Sequence, residues 1–100
     1  MRVIDGGVTS PEGYFAAGVA CGIKKNARKD LAIVCSEDIS AAAGVFTTNI
    51  VKGHSLQVTM EHLKSGYATA IIINSGNANA CVGKQGYDDA KEIARITAEF

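Results

Sequence analysis

The stretch that decides the fold is residues 70–80, Ala-Ile-Ile-Ile-Asn-Ser-Gly-Asn-Ala-Asn-Ala. Its first four residues form a short apolar run rich in β-branched side chains, which predicts a buried strand. In residues 74–80, called the asparagine turn below, Asn and Gly accept left-handed backbone angles, and Asn side chains bond to nearby backbone groups. We therefore expect a tight, internally bonded polar turn at the end of a strand.

Such a turn either locks the fold or faces a ligand. The candidate residues are Asn74, Ser75, Gly76, Asn77 and Asn79. The downstream glycines do not complete a G-x-G-x-x-G pattern and no Gly-Lys-Ser/Thr follows, so the spacing disfavours a phosphate loop. A structural turn is the favoured interpretation, although the turn can still lie beside a site because sites gather at strand ends.

Composition limits the classes of protein. Of the 100 residues, 47% are hydrophobic, but many are Ala, so we expect the core to be shared with another polypeptide or domain. Ten Lys and Arg balance ten Asp and Glu, which disfavours nucleic acid as a partner. The basic loop, residues 24–29, is interpreted as a solvated loop closed by Asp30. The alternative is a patch for an anion such as a coenzyme phosphate.

Targeting signals and metal sites are not predicted. The N-terminus lacks the apolar region of a signal peptide, and no apolar run could span a bilayer. The chain has an odd number of cysteines, which are far apart in sequence: Cys21, Cys35 and Cys81. This pattern indicates small buried thiols in a reducing cytoplasm. His54 is expected in a turn and His62 on a helix surface; these two form no metal site and are not placed as a base for a Cys81 nucleophile.

The remaining patterns predict a mixed α+β fold. Expected strands cover residues 15–23, 31–35 and 42–48, with the last antiparallel to the second across a turn at 37–38. Residues 55–60 are assigned as a strand, although a helix fits nearly as well, and helical turns then run to a stop at Gly66. After a loop at 83–86, a helix begins near Tyr87 with Asp88 and Asp89 in its first turn. Phe100 is uncapped and in phase, so we expect a truncated or cleaved chain.

Several segments together resemble the N-terminal part of the ornithine acetyltransferase (glutamate N-acetyltransferase) family of arginine biosynthesis. They occur in family order over nearly the whole chain and comprise GVTSPEGY at 7–14, AGVACGIK at 17–24, KDLA at 29–32, AAGVFTTN at 42–49 and INSGNANAC at 73–81. The last is the most specific. Val82 departs from the Thr that is common there in the family.

The resemblance implies a fold and a mechanism. The family fold is an α/β/β/α sandwich, and its precursor cuts itself before an internal Thr into two chains that stay associated. That Thr takes acetyl from N-acetylornithine and passes it to glutamate, with its own amino group as base and a Thr-Gly pair holding the oxyanion. Some members also use acetyl-CoA as donor; no bound cofactor is implied.

The resemblance places no catalytic residue in residues 1–100, which would form the N-terminal portion of the alpha-chain domain and be inactive alone. Thr59 and Thr69 resemble the cleavage Thr, but both precede the asparagine turn, whereas family cleavage follows it. The implied partners are the rest of the alpha chain and the beta chain in an alpha2-beta2 assembly in the cytoplasm. The alternatives are an anion-binding module built on the asparagine turn and a purely structural interaction domain.

Overall fold

The computed structural model describes residues 1–77 and 83–100. Within these, three strands and two helices form a mixed α+β fold, which confirms the predicted class. In chain order they are β1 (Tyr14–Val19), β2 (Leu31–Ala41), α1 (His54–His62), β3 (Tyr67–Asn74) and α2 (Gly83–Ala98), with a 3-10 turn at Leu63–Ser65 after α1. None of the described helices is long and apolar enough to cross a membrane.

The three strands form one antiparallel sheet in the order β1-β2-β3. Ile33 of the central strand lies opposite Ala17 on one side and Ile72 on the other. Leu31 at the start of β2 pairs with Asn74 at the end of β3, so the asparagine turn leaves the sheet beside the loop that joins β1 and β2. The predicted strand at 70–73 is confirmed within β3.

The central strand is longer than predicted, because it continues through an irregularity between Cys35 and Ser40. There the Ser36 hydroxyl donates to the Asp38 carbonyl at 2.6 Å. The expected turn at 37–38 is therefore a bulge, which bends a strand without ending it. Ser40 and Ala41 pair with β3, and residues 42–48 form no strand, so that prediction is wrong.

The assignment of residues 55–60 as a strand is also wrong, because they lie in α1. Leu56, Val58 and Met60 alternate in sequence, but Val58 alone of the three is buried, whereas Met60 is exposed. The chain then tightens into the 3-10 turn and stops at Gly66, as predicted. Gly66 has φ of +78°, and its amide donates to the Leu63 carbonyl at 3.0 Å.

The second helix begins four residues earlier than expected, at Gly83, so the predicted loop at 83–86 is wrong. Asp88 and Asp89 consequently lie beyond its first turn, which holds no acidic residue. Its half-buried side includes Tyr87, Ala90, Ala94 and Thr97, a helical spacing that confirms the predicted period. Ile93 and Phe100, expected on the same side, are exposed.

Within the described residues, both faces of the sheet expose apolar side chains. Val58 is the buried hydrophobic residue of the described chain, and Asp30 is its buried charged residue. Pairing and alternation place Phe15 and Val19 on one face, where they are 56% and 53% exposed. Ile71 and Ile73 lie on the other face and are 60% and 48% exposed. The apolar residues of this sheet therefore gain little burial from the described segments.

Candidate functional site

The structure describes the asparagine turn as far as Asn77; the remainder, including Asn79, lies outside the described residues, as do Cys81 and Val82. Asn74 is half-buried at the end of β3. Ser75, Gly76 and Asn77 are exposed. Gly76 has φ of +95°, so the expected left-handed backbone is present at this position.

The basic loop packs against the asparagine turn. A Cβ placed on Gly76 would lie 2.6 Å from Lys24 Cγ and 3.4 Å from Ile23 Cγ2. The first distance is far shorter than normal contact, so only glycine fits here without movement of the Lys24 side chain or of the loop that carries it. The turn and the loop thus form one polar end of the sheet, a juxtaposition that their separation of about fifty residues in sequence does not reveal.

Asp30 joins these two segments and is only 3% exposed. Its Oδ1 accepts the Cys21 amide at 2.7 Å, and its Oδ2 accepts the Lys24 amide at 2.9 Å. Its own amide donates to the Val19 carbonyl at 3.0 Å, and its carbonyl accepts the Ser75 amide at 2.9 Å. The Cys21 and Lys24 amides hold the pKa of the Asp30 carboxyl well below its usual range, because they bond to the ionised form.

Sequence reasoning treated Asp30 only as the end of the basic loop and missed this role. The available signal was a single acid placed between a run of cations and the apolar start of a strand. Such a residue is as readily a solvated loop residue, so the pattern alone could not identify a buried carboxylate.

The basic loop is ordered by local geometry. Lys25, Arg28 and Lys29 are exposed, as expected for a solvated loop, whereas Lys24 is half-buried against the turn. Asn26 and Ala27 both have positive φ, of 68° and 51°. The ion pairs of the described residues are those of Arg95 with Glu92 and Glu99, so the cations of the basic loop are not paired with carboxylates there.

A shallow cavity of about 190 Å³ lies at this end of the sheet. Its lining includes the polar residues Lys29 and Ser75 and the apolar residues Ala32 and Ile73. The Ser75 amide is already bonded to the Asp30 carbonyl, so it is not free to bind an anion. The anion-binding alternative therefore lacks one of the backbone donors that it would need.

The histidines occupy a different region. His62 ends α1 and is exposed, which confirms its expected surface position. The turn assigned to His54 is wrong, because His54 begins α1; both of its ring nitrogens are buried and lack a hydrogen-bond partner in the described structure. In residues 1–77 and 83–100, no group of three or more His, Cys, Asp or Glu is arranged to hold a metal ion.

The cysteines that the structure describes do not form a reactive site. Cys35 is half-buried, but Cys21 is exposed, so the expectation of a buried thiol is wrong at Cys21. The hydrogen bond to the Asp30 carboxylate raises the pKa of the Cys21 thiol, because it stabilises the protonated form. This thiol is accordingly a weaker nucleophile than an ordinary cysteine near neutral pH.

Thr59 and Thr69, the two residues that resemble the cleavage threonine, both lie within regular secondary structure. Thr59 lies within α1, where its hydroxyl donates to the Ser55 carbonyl at 2.8 Å. Thr69 lies within β3, and its carbonyl accepts the Ser36 hydroxyl at 3.3 Å. Cleavage before either residue would interrupt a regular element.

A polar contact joins the two helices. The Tyr87 hydroxyl donates to Glu61 Oε2 at 2.5 Å, and Lys91 Nζ lies 5.3 Å from the centroid of the Tyr87 ring. The Tyr87 hydrogen bond, followed by the Lys91 charge, lowers the pKa of Glu61, while the same hydrogen bond raises the pKa of Tyr87. This cluster fixes α2 against α1 and lies outside the polar end of the sheet.

Comparison with known proteins gives consistent matches. The ArgJ family model matches residues 15–100. The arginine biosynthesis bifunctional protein ArgJ of Caldanaerobacter subterraneus is 48% identical over 99 residues, which cover 99% of this chain and 24% of that protein. The protein of the same name from Gloeobacter violaceus is 49% identical over 96 residues, covering 95% and 24%. The chain therefore spans about a quarter of the length of these relatives.

Two crystal structures share the fold. The arginine biosynthesis bifunctional protein of Bacillus halodurans has a TM-score of 0.90 and 43% identity, covering 94% of this chain and 49% of that one. The ornithine acetyltransferase of Mycobacterium tuberculosis complexed with ornithine has a TM-score of 0.85 and 49% identity, covering 88% and 46%. The family match extends from the second residue of β1 through α2 and includes the whole polar end of the sheet, and the chain belongs to the ArgJ family.

Proposed function

We propose that this chain is the N-terminal part of a glutamate N-acetyltransferase that moves acetyl from N-acetylornithine to glutamate. The match to the ArgJ family over residues 15–100 carries the proposal. It is supported by the fold shared with an ornithine acetyltransferase whose crystal structure contains ornithine. In this proposal the chain forms the N-terminal portion of the alpha-chain domain.

The proposed reaction has two balanced steps. A threonine hydroxyl attacks the acetyl carbonyl of N-acetylornithine, an ester forms, the amide C–N bond breaks, and the hydroxyl proton reaches the departing ornithine amine. The glutamate amine then attacks the ester, which forms N-acetylglutamate and returns a proton to the threonine oxygen. The amino group of the same threonine relays both protons, and a Thr-Gly pair stabilises the negative carbonyl oxygen. These groups would lie on polypeptide beyond residue 100.

The residues described here would act as scaffold. Both sheet faces expose apolar side chains, including Phe15 and Ile71, which a larger assembly would cover. We infer that the rest of the alpha chain and the beta chain of the same precursor cover them, in an alpha2-beta2 enzyme of the cytoplasm. The asparagine turn would then lie near the reacting groups as part of the frame, and acetyl-CoA would serve as a second acetyl donor.

Acetyl exchange tests this function. The intact protein that carries this chain is incubated with N-acetylornithine labelled in the acetyl group and unlabelled glutamate. We expect labelled N-acetylglutamate, together with a mass increase of one acetyl group on a threonine-initiated chain when glutamate is omitted. Residues 1–100 alone serve as the matched control and should give no turnover. Turnover by that fragment, abolished by substituting one of its own residues, would contradict the proposal.

A parallel assay examines the acetyl donor. Acetyl-CoA replaces N-acetylornithine, and release of free thiol is followed with glutamate present and absent. Glutamate-dependent thiol release is expected if the enzyme is bifunctional, as the names of its relatives state for those proteins. Without glutamate, thiol release should stop after the one equivalent that forms the acetyl-enzyme; continued release would contradict transfer to this acceptor.

A further inference from the structure

Asp30 makes four hydrogen bonds to backbone groups, and these connect three separate segments. Its carboxylate accepts two amides of the β1–β2 connection, from Cys21 and Lys24. Its backbone closes the sheet through Val19 and reaches the asparagine turn through Ser75. The residue is almost fully buried, so water competes little for these bonds.

We propose that Asp30 is a positioning residue, whose carboxylate sets the conformation of the basic loop and, through it, the placement of residues 74–77 of the asparagine turn. Two contacts link the basic loop and Asp30 to the asparagine turn. The Asp30 carbonyl holds the Ser75 amide, and the Lys24 side chain lies against Gly76. Displacement of the loop backbone therefore moves both contacts together.

The arrangement requires a carboxylate. Two oxygens of one side chain accept two amides, at 2.7 and 2.9 Å. An asparagine at this position offers one carbonyl oxygen, and its NH₂ group would face the second amide, donor against donor. A glutamate keeps both oxygens but is longer by one methylene, which the 3% exposure of the site leaves little room to accept.

Hydrogen exchange at Ser75 tests the placement of the turn. In the intact protein, Asp30→Asn should accelerate exchange of the Ser75 amide about tenfold, because the carbonyl that accepts it is displaced. The Glu37 amide is the internal control, since it bonds to Gly13 at 2.8 Å and not to this segment. The matched variant Asp38→Asn makes the same chemical change at an exposed residue and should leave both amides unchanged.

Two outcomes would overturn the proposal. One is unchanged exchange at Ser75 in Asp30→Asn. The other is equal acceleration at Ser75 and Glu37, because this would mean general loss of stability and no specific effect on the turn. If Asp30→Asn does not fold, Asp30→Glu takes its place, with a smaller acceleration expected at Ser75 alone and the same two outcomes decisive.

The catalytic consequence rests on the proposed function. If the turn frames the reacting groups, Asp30→Asn should lower kcat about tenfold and leave KM for N-acetylornithine within about threefold, because misplacement affects the transition state more than binding. Unchanged kcat with accelerated Ser75 exchange would overturn this consequence. An absence of acetyl transfer by the wild-type protein would refute the proposed function, while the exchange result would still decide the role of Asp30.

Discussion

Substitution of Gly76 by alanine should destabilise the protein by two separable effects. Gly76 has φ of +95°, outside the range that alanine adopts without strain. The added Cβ would also lie 2.6 Å from Lys24 Cγ. Because Cγ is the second carbon of the side chain, rotation of the lysine terminus cannot relieve this contact, so either χ1 of the half-buried Lys24 or the loop itself must change.

The two effects have different sizes. The left-handed backbone costs an alanine about 1–2 kcal/mol. Forcing a methyl group into an occupied position costs about 1–3 kcal/mol more. Gly76→Ala should therefore lower the free energy of unfolding by about 2–5 kcal/mol.

Gly66 supplies the matched control. It has φ of +78°, and a Cβ placed there meets nothing within 4 Å. Gly66→Ala should therefore cost the backbone contribution alone, about 1–2 kcal/mol. Denaturant unfolding of both variants in the intact protein measures the difference. Equal losses in the two variants would refute the reasoning, because they would mean that the Lys24 side chain does not resist the added Cβ.

Three further perturbations follow from the described contacts. Val58→Ala removes two buried methyl groups and should cost about 2 kcal/mol of unfolding free energy, whereas Val45→Ala at a fully exposed position should cost under about 0.5 kcal/mol. Ala27→Gly should stabilise the protein by about 1 kcal/mol in thermal unfolding, because it relieves a left-handed alanine. Tyr87→Phe should reduce the part of the acid-sensitive stability that belongs to Glu61: because the Tyr87 hydrogen bond lowers the pKa of Glu61, this part is present above the usual glutamate pKa and is lost as the pH falls through the lowered pKa.

The controls for Ala27→Gly and Tyr87→Phe are substitutions at a neighbouring residue and at a residue of the same type. Asn26 also has positive φ, but asparagine tolerates this conformation, so Asn26→Gly should change stability much less than Ala27→Gly. Tyr67 is exposed on β3, and Tyr67→Phe should leave the pH dependence of unfolding as it is in the wild type. A larger gain in stability from Asn26→Gly than from Ala27→Gly would count against strain at Ala27. A loss of pH dependence in Tyr67→Phe would count against the Tyr87–Glu61 hydrogen bond as its cause.

The sequence predicted the parts of the fold that local chemistry determines. The β-branched run at 71–73 forms a strand, Gly66 ends a helical segment, and Gly76 adopts a left-handed angle, because each depends on the residue itself and its neighbours. The turn predicted at 37–38 was wrong because polar residues also occur in β-bulges. Whether pairing resumes after a bulge depends on the partner strand. The strand predicted at residues 55–60 was wrong because a short apolar alternation fits both the strand period and the helix period. Packing around Val58 favours the helix.

The candidate site was predicted in part for the same reason. The sequence identified the asparagine turn as polar and tightly bent, and Ser75 and Gly76 are arranged in that way. It could not show that Lys24 lies on Gly76, because this contact depends on the antiparallel pairing of β3 with β2. Nor could it show that Asp30 accepts two amides, because this depends on how the β1–β2 connection closes around the carboxylate. Because β3 lies beside β2, the Asp30 carbonyl accepts the Ser75 amide, and Asp30 thereby connects the basic loop to the asparagine turn.

Order at the polar end of the sheet and burial of the sheet arise from different interactions. The apolar faces remain exposed in the described residues, with Ile71 at 60%, so their stabilisation depends on covering segments. The polar end instead depends on directional bonds to Asp30, which lie within the chain itself. Because these bonds do not require a covered face, they hold Ser75 in place whether or not the sheet faces are covered. Burial of the sheet faces would therefore add stability without being needed for the geometry around Asp30.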